Sequence, residues 1–326
     1  MPASRFVDLT ERILYLRSIP VAAELPPPVL KIIASYLRER DFPKGSVLMR
    51  QGEPVAALEL LTEGSLALVR NGKPFGKLAP PQSLGFLAIL ARSDGTYDAS
   101  AEEDTRSLSL DADALIELLE DHVELFHATL RYFADRLLYE IMELPADMLE
   151  GRLRGETAAP DRKLDIVERI VELRMLRAFR RTNLNALVAL AEHLEERRVG
   201  PGETLWQKGE PADHALIVLA GTATCEDRDL DKRWQAGPRS VLGGIEGMVS
   251  KPRWYTLSAA TLLVSYRLSS TAFVDLLEDD FAMGLDFISM LAGELVDLLE
   301  RKALMGKSTV GVKRDVSKLG AVPVGA

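Results

Sequence analysis

The chain has 326 residues, too many for one ordinary domain, and its 47% hydrophobic content can build two cores without disulfides or metals as staples. The single cysteine, Cys225, excludes an intramolecular disulfide and fits a buried strand residue in a reducing compartment. A net charge of −9 excludes broad, charge-driven binding to nucleic acid, which needs a cationic face.

No apolar run approaches the roughly 20 residues that span a bilayer. Met1 to Leu16 alternates charged and apolar residues and lacks a signal-peptide core. A cytoplasmic protein with no membrane contact is expected. The four histidines, His122, His127, His193 and His214, form no HxH or HExxH pair, so no metal site is expected.

The sequence is written twice. At an offset of 157, Glu39 to Pro54 falls on Glu196 to Pro211 with seven of sixteen positions identical, Gly45/Gly202 and Gly52/Gly209 among them. The same offset carries Glu63-Gly64 onto Ala220-Gly221. One inserted residue later, an offset of 158 puts Leu84-Gly85 on Leu242-Gly243 and Leu118 to Asp121 on Leu276 to Asp279.

Each copy has one order of elements. A helical stretch comes first, Phe6 to Ile19 and Lys163 to Phe179; in the second, Leu164, Val167, Ile170, Val171 and Arg174 follow helical spacing. A short helix follows, Pro28 to Leu37 and Asn185 to Leu194, with Pro28 suited to a helix start. About 70 residues of short β-rich runs between glycine and proline turns predict a rolled antiparallel structure. Each copy closes on an amphipathic helix, Asp121 to Glu143 and Asp280 to Met305. The second carries a stripe of Leu285, Ile288, Leu291, Leu295, Leu298 and Leu299. The expected fold is therefore α+β: two antiparallel, jelly-roll-like β-roll domains, each flanked by N-terminal and C-terminal helices. Their bounds are 6–144 and 163–305, with a partly ordered connector over 145–162 and a disordered tail over 306–326.

The pattern Gly45-xx-Leu48-xxx-Gly52 with Gly64, repeated as Gly202-xx-Leu205-xxx-Gly209 with Gly221, resembles the glycine-spaced signature of cyclic-nucleotide-binding domains. These glycines suit tight turns with positive φ or close backbone approach. Tandem modules of this kind are similar to the regulatory subunits of cyclic-AMP-dependent protein kinase. The resemblance implies a phosphate-binding cassette that reads approximately FGE(L/I)AL, a gap, then PR-x-x-T or S. A short helix aims backbone amides at the phosphate, the arginine neutralises it, and the glutamate accepts from the ribose hydroxyl.

Copy two reads Leu242-Gly243-Gly244-Ile245-Glu246-Gly247-Met248, then Pro252-Arg253-Trp254-Tyr255-Thr256. On this resemblance the ligand-binding residues are Arg253, Gly243, Gly244, Ile245, Glu246 and Thr256. The pattern departs at Gly244, which stands where the family has the glutamate that accepts from the ribose; Glu246 lies two residues later. Copy one departs further. Phe86 replaces the glutamate and is expected to fill the vacated pocket, Gly95 stands at the arginine position, and Arg92 comes three residues early. Glu102-Glu103-Asp104 would repel a phosphate.

No GxSxG, P-loop, histidine cluster or paired carboxylates point to catalysis. About 20 glycine- and valine-rich residues follow Met305, too few for the helix-turn-helix of a transcription factor. Two readings stay open. One is a sensor with cyclic AMP or cyclic GMP as ligand in the second domain, no other cofactor, and output through an effector protein. The other is a scaffold that kept the fold and lost the nucleotide, with the stripe on the C-terminal helix offering a homodimer seam or packing on its own roll.

Overall fold

The structure, a computed structural model, describes residues 8–149 and 159–304. The middle of the expected connector and the expected disordered tail lie outside the described residues.

The first repeat opens with α1 (Leu9–Leu16) and α2 (Pro27–Tyr36). Its strands are β1 (Arg38–Phe42), β2 (Val47–Met49), β3 (Ala57–Glu63), β4 (Leu66–Arg70), β5 (Lys73–Leu78) and β6 (Ser83–Leu84). The short α3 (Phe86–Leu90) precedes β7 (Asp98–Ala101) and β8 (Thr105–Asp111). Then come α4 (Ala112–Asp121), α5 (Val123–Met142) and α6 (Ala146–Leu149).

The second repeat runs α7 (Ile166–Met175), a 3₁₀ turn (Arg177–Phe179) and α8 (Leu184–Glu192). Its strands are β9 (Glu195–Val199), β10 (Thr204–Trp206), β11 (His214–Ala220), β12 (Ala223–Asp227), β13 (Lys232–Ala236) and β14 (Val241–Leu242). There follow α9 (Gly244–Met248), β15 (Thr256–Ala259), β16 (Leu263–Ser269), α10 (Ser270–Asp279) and α11 (Phe281–Leu304).

The duplication extends to hydrogen-bond register. Each roll pairs two four-stranded antiparallel sheets, ordered β1-β8-β3-β6 and β2-β7-β4-β5 in one, β9-β16-β11-β14 and β10-β15-β12-β13 in the other. Two irregularities repeat as well: the break between Leu61 and Glu63 recurs between Val218 and Ala220, and that between Val47 and Met49 recurs between Thr204 and Trp206, whereas the break between Leu68 and Val69 is confined to the first roll. Such breaks bend a strand and let a flat sheet curl.

The turn glycines behave as their spacing predicts. Gly64 and Gly221 sit at φ +79° and +83°. A side chain on Gly64 would collide with Thr105, and one on Gly221 with the Leu262 carbonyl. Local capping sets the helix starts: Asp165 and Glu168 form a reciprocal capping box on α7, and Asn183 accepts from the Ala186 amide on α8.

Three details depart from the sequence reading. The segment before each terminal helix forms a separate helix, α4 or α10, ending where His122 or Asp280 adopts extended backbone. The apolar positions of α7 form a helix, but Val167 and Val171 point outward, 64% and 55% exposed, and Leu173 is its buried residue. The α11 stripe is already occupied within one chain: Leu285, Ile288, Leu291, Leu295 and Leu298 are all buried. That face is therefore not free to serve as a dimer seam.

The described residues gather into two compact units that do not coincide with the repeats. One contains residues 36–89, 93–112 and 296–304, the roll of the first repeat with the end of α11. Its core is Met49, Leu61, Leu66, Leu68, Leu78, Leu84, Ala99 and Ala101. The other contains residues 8–35, 90–92, 113–149 and 159–295, so the helices of the first repeat join the second roll.

Candidate functional site

The second roll holds every residue expected to bind ligand. β14 ends at Leu242, and Gly243, with a φ of +72°, turns the chain left-handed into α9. The return strand β15 begins after Arg253 and Tyr255. Backbone bonds fix the register: the Gly209 amide donates to the Arg253 carbonyl at 2.8 Å, and the Arg253 amide donates to Glu210 at 2.8 Å. In the first repeat Gly52 donates to Gly95 and Gly95 to Glu53, at 2.8 and 2.9 Å. Gly95 and Arg253 thus occupy equivalent positions in space as well as in sequence.

The Arg253 side chain turns inward. It is 1% exposed, donates from its two terminal nitrogens to the carbonyls of Gly243 (2.7 Å) and His214 (2.5 Å), and lies 4.0 Å above the Trp206 ring. A side chain on Gly243 would run into this guanidinium. Burial pushes its pKa down, opposed first by Glu246 and then by Tyr255, Asp213 and Glu210. Its Nε is buried without an acceptor.

Glu246, 3% exposed, has a buried Oε1 without a donor. Burial raises its pKa, and a backbone hydrogen bond and the charge on Arg253 partly oppose this. Gly244 is half-buried, and a Cβ there would make ordinary contact with Ala215 and Val241. Ile245 packs on the roll core. Thr256 is engaged by its own fold: its hydroxyl accepts from the Lys208 amide at 3.1 Å. The equivalent Asp98 accepts from the Gln51 amide at 2.8 Å. The structure therefore brings Gly243 and Arg253 together, with Glu246 in the same buried electrostatic environment, and assigns Thr256 to a turn.

The sequence reading missed what fills the roll. Trp206, Trp234 and Trp254, the chain's three tryptophans, are buried with Tyr255 in one cluster. Trp234 and Trp254 stack at 5.1 Å and Trp254 meets Tyr255 edge-on at 4.9 Å. The Trp206 indole donates to the Tyr255 carbonyl at 3.1 Å. The adjacent aromatics Trp254-Tyr255 beside the cassette arginine were the available signal. Cys225 lies in the same core, its thiol pushed up by burial, as an inert strand residue.

The first repeat has no arginine in the equivalent place, and a side chain on Gly95 would meet the Arg50 carbonyl at 2.6 Å. Phe86 is half-buried and outside the roll core; Phe75 and Tyr97, stacked at 5.6 Å, pack there instead. Arg92 pairs with Asp286 at 2.6 Å. The acidic run is tied locally: Glu102 to Lys77, Glu103 to the Ser65 hydroxyl, and Asp104 to the Lys44 amide. Among the described residues no cluster of three His, Cys, Asp or Glu side chains could hold a metal ion, and no helix is long and apolar enough to cross a membrane.

A family model, the cyclic nucleotide-binding domain, matches residues 39–122 and 196–280, over half of the chain and both rolls. The chain belongs to this family. Among similar proteins is the CRP-like cAMP-activated global transcriptional regulator of Mycobacterium tuberculosis, 28% identical over 117 residues, 34% of this chain and 52% of that protein. The chain thus spans about half the length of that relative. Two solved structures are similar over most of the chain. One is the regulatory subunit of a cAMP-independent protein kinase A from Trypanosoma brucei: 14% identity, 93% of this chain, 91% of that one, TM-score 0.34. The other is the regulatory domain of Toxoplasma gondii PKA with cAMP: 15% identity, 91% of this chain, 97% of that one, TM-score 0.34.

Proposed function

We propose that this is a non-catalytic regulatory protein whose tandem cyclic nucleotide-binding domains act through a protein partner and have given up ordinary cyclic-nucleotide binding. The boundary between the two repeats lies in the 145–162 connector. One observation carries the proposal. Arg253, the cassette arginine, has its terminal donors committed to two backbone carbonyls beneath Gly243 and its face committed to Trp206. A phosphate would have to displace contacts worth roughly 1.5–3 kcal/mol per charged hydrogen bond before gaining its own. The ribose partner is absent at Gly244, and the tryptophan cluster fills the roll behind it.

A second reading keeps the second domain as a cyclic AMP or cyclic GMP sensor. It is favoured by the two buried groups without partners, the Nε of Arg253 and the Oε1 of Glu246, which a ligand would satisfy. Isothermal titration of the full chain with each nucleotide separates the two readings. No heat is expected. Saturable binding tighter than about 10 µM, roughly −7 kcal/mol, would overturn the first reading and establish the second.

A further inference from the structure

The terminal helix of the first repeat ends on the second repeat's roll. Leu138 of α5 is 3% exposed and belongs to the tryptophan-containing core of the second roll; Ile141, Met142 and Leu149 pack against that core. α5 also contacts the cassette helix α9, and α6 contacts β13. Two lysines of the second roll clasp α5. Lys251, in the turn between α9 and Arg253, pairs with Asp135. Lys232 donates to the Met142 carbonyl at 2.5 Å, placing a cation at the negative end of the α5 dipole.

We infer that α5 and α6 form a releasable clasp over the second domain's cassette, through which the first repeat governs exposure of the aromatic cluster. This deepens the regulatory reading above and rests on it for its output. Duplication provides an internal comparison. Under the offset of 158, Lys251 falls on Ser93, whereas Lys232, opposite Asp227 in its ladder, stands where Lys73 stands opposite Arg70. The β-roll frame therefore does not require Lys251, and the Lys251–Asp135 pair is the part of the clasp peculiar to the second roll. The clasp is built for release because its outer contact is solvated, with both Asp135 and Lys251 41% exposed. Exposed ion pairs are weak and salt-sensitive. Letting α5 go would uncover the apolar contact of Leu138 and free the segment from α9 to Arg253.

The test is hydrogen exchange of the backbone amides over 244–256 in the full chain, comparing wild type, Asp135→Lys and the swapped pair Asp135→Lys/Lys251→Asp. Acrylamide quenching of tryptophan fluorescence reads the same event, since all three tryptophans lie in this core. Asp135→Lys should speed exchange about fivefold, the scale of one exposed ion pair, and raise quenching with it. The swap should restore both. An unchanged exchange rate in Asp135→Lys, or a faster one that the swap fails to reverse, would overturn the clasp. Nucleotide binding by wild type in the titration above would instead overturn the loss-of-binding reading, so the two failures are distinguishable.

Discussion

Replacing Arg253 by alanine separates an arginine that holds the domain together from one kept free for a phosphate. The substitution leaves the carbonyls of Gly243 and His214 without their donors. A buried polar group stripped of its partner costs about 1–3 kcal/mol. The contact with Trp206 at 4.0 Å contributes a further ~0.5–2 kcal/mol, and Glu246 loses a cation that eases its burial. Relief of the guanidinium's own desolvation, several kcal/mol in a dry site, works the other way. The expected net loss is about 2–4 kcal/mol in the absence of ligand. Urea denaturation followed by tryptophan fluorescence reports on this roll alone, since all three tryptophans lie in its core. A ligand-free Arg253→Ala protein as stable as wild type, combined with a wild type that cyclic AMP stabilises, would refute the reasoning.

Other outcomes follow from neighbouring groups. Gly95→Arg, which restores an arginine to the first cassette, should fail to confer nucleotide binding by titration and should lower stability by more than about 1 kcal/mol, because its Cβ meets the Arg50 carbonyl. Burial raises the pKa of Glu246, so its contribution to stability is full below the unfolded carboxylate pKa and is lost as pH rises through the folded value. Glu246→Gln should therefore flatten the decline in stability as pH rises above the unfolded carboxylate pKa; an identical slope in both proteins would count against it. Ser265 is fully buried with an unpartnered hydroxyl, and Ser265→Ala should be neutral or stabilising by up to about 1 kcal/mol in the same denaturation assay.

The fold was legible because its turns are chemically restrictive. Gly45, Gly52, Gly64 and Gly85 all have positive φ, as do Gly202, Gly209, Gly221 and Gly243, and a position with that demand leaves a mark in both copies. The site was half legible. The motif located Arg253 correctly beside Gly243, but spacing along the chain carries no information on whether a guanidinium faces a hollow or the underside of a turn. That depends on Trp206, 47 residues earlier, and on the His214 carbonyl, neither of which the motif contains. Thr256 shows a related limit of the motif: a hydroxyl serves a ligand or a neighbouring amide equally well, and the equivalent bond at Asp98 shows that its contact with the Lys208 amide belongs to the roll. The reach of α5 was invisible because helical periodicity marks an apolar face without naming its partner.

That α5 is folded into the second roll has a practical bearing on dissecting this protein. Cutting the chain after Leu144, where the sequence alone would end the first domain, would leave Leu138, Ile141 and Met142 at the end of the N-terminal half with the surface they cover removed, and would open the tryptophan core of the C-terminal half. Both fragments would present fresh apolar surface to water and tend to precipitate. A soluble C-terminal fragment should start ahead of Val123, carrying the whole of α5 with it.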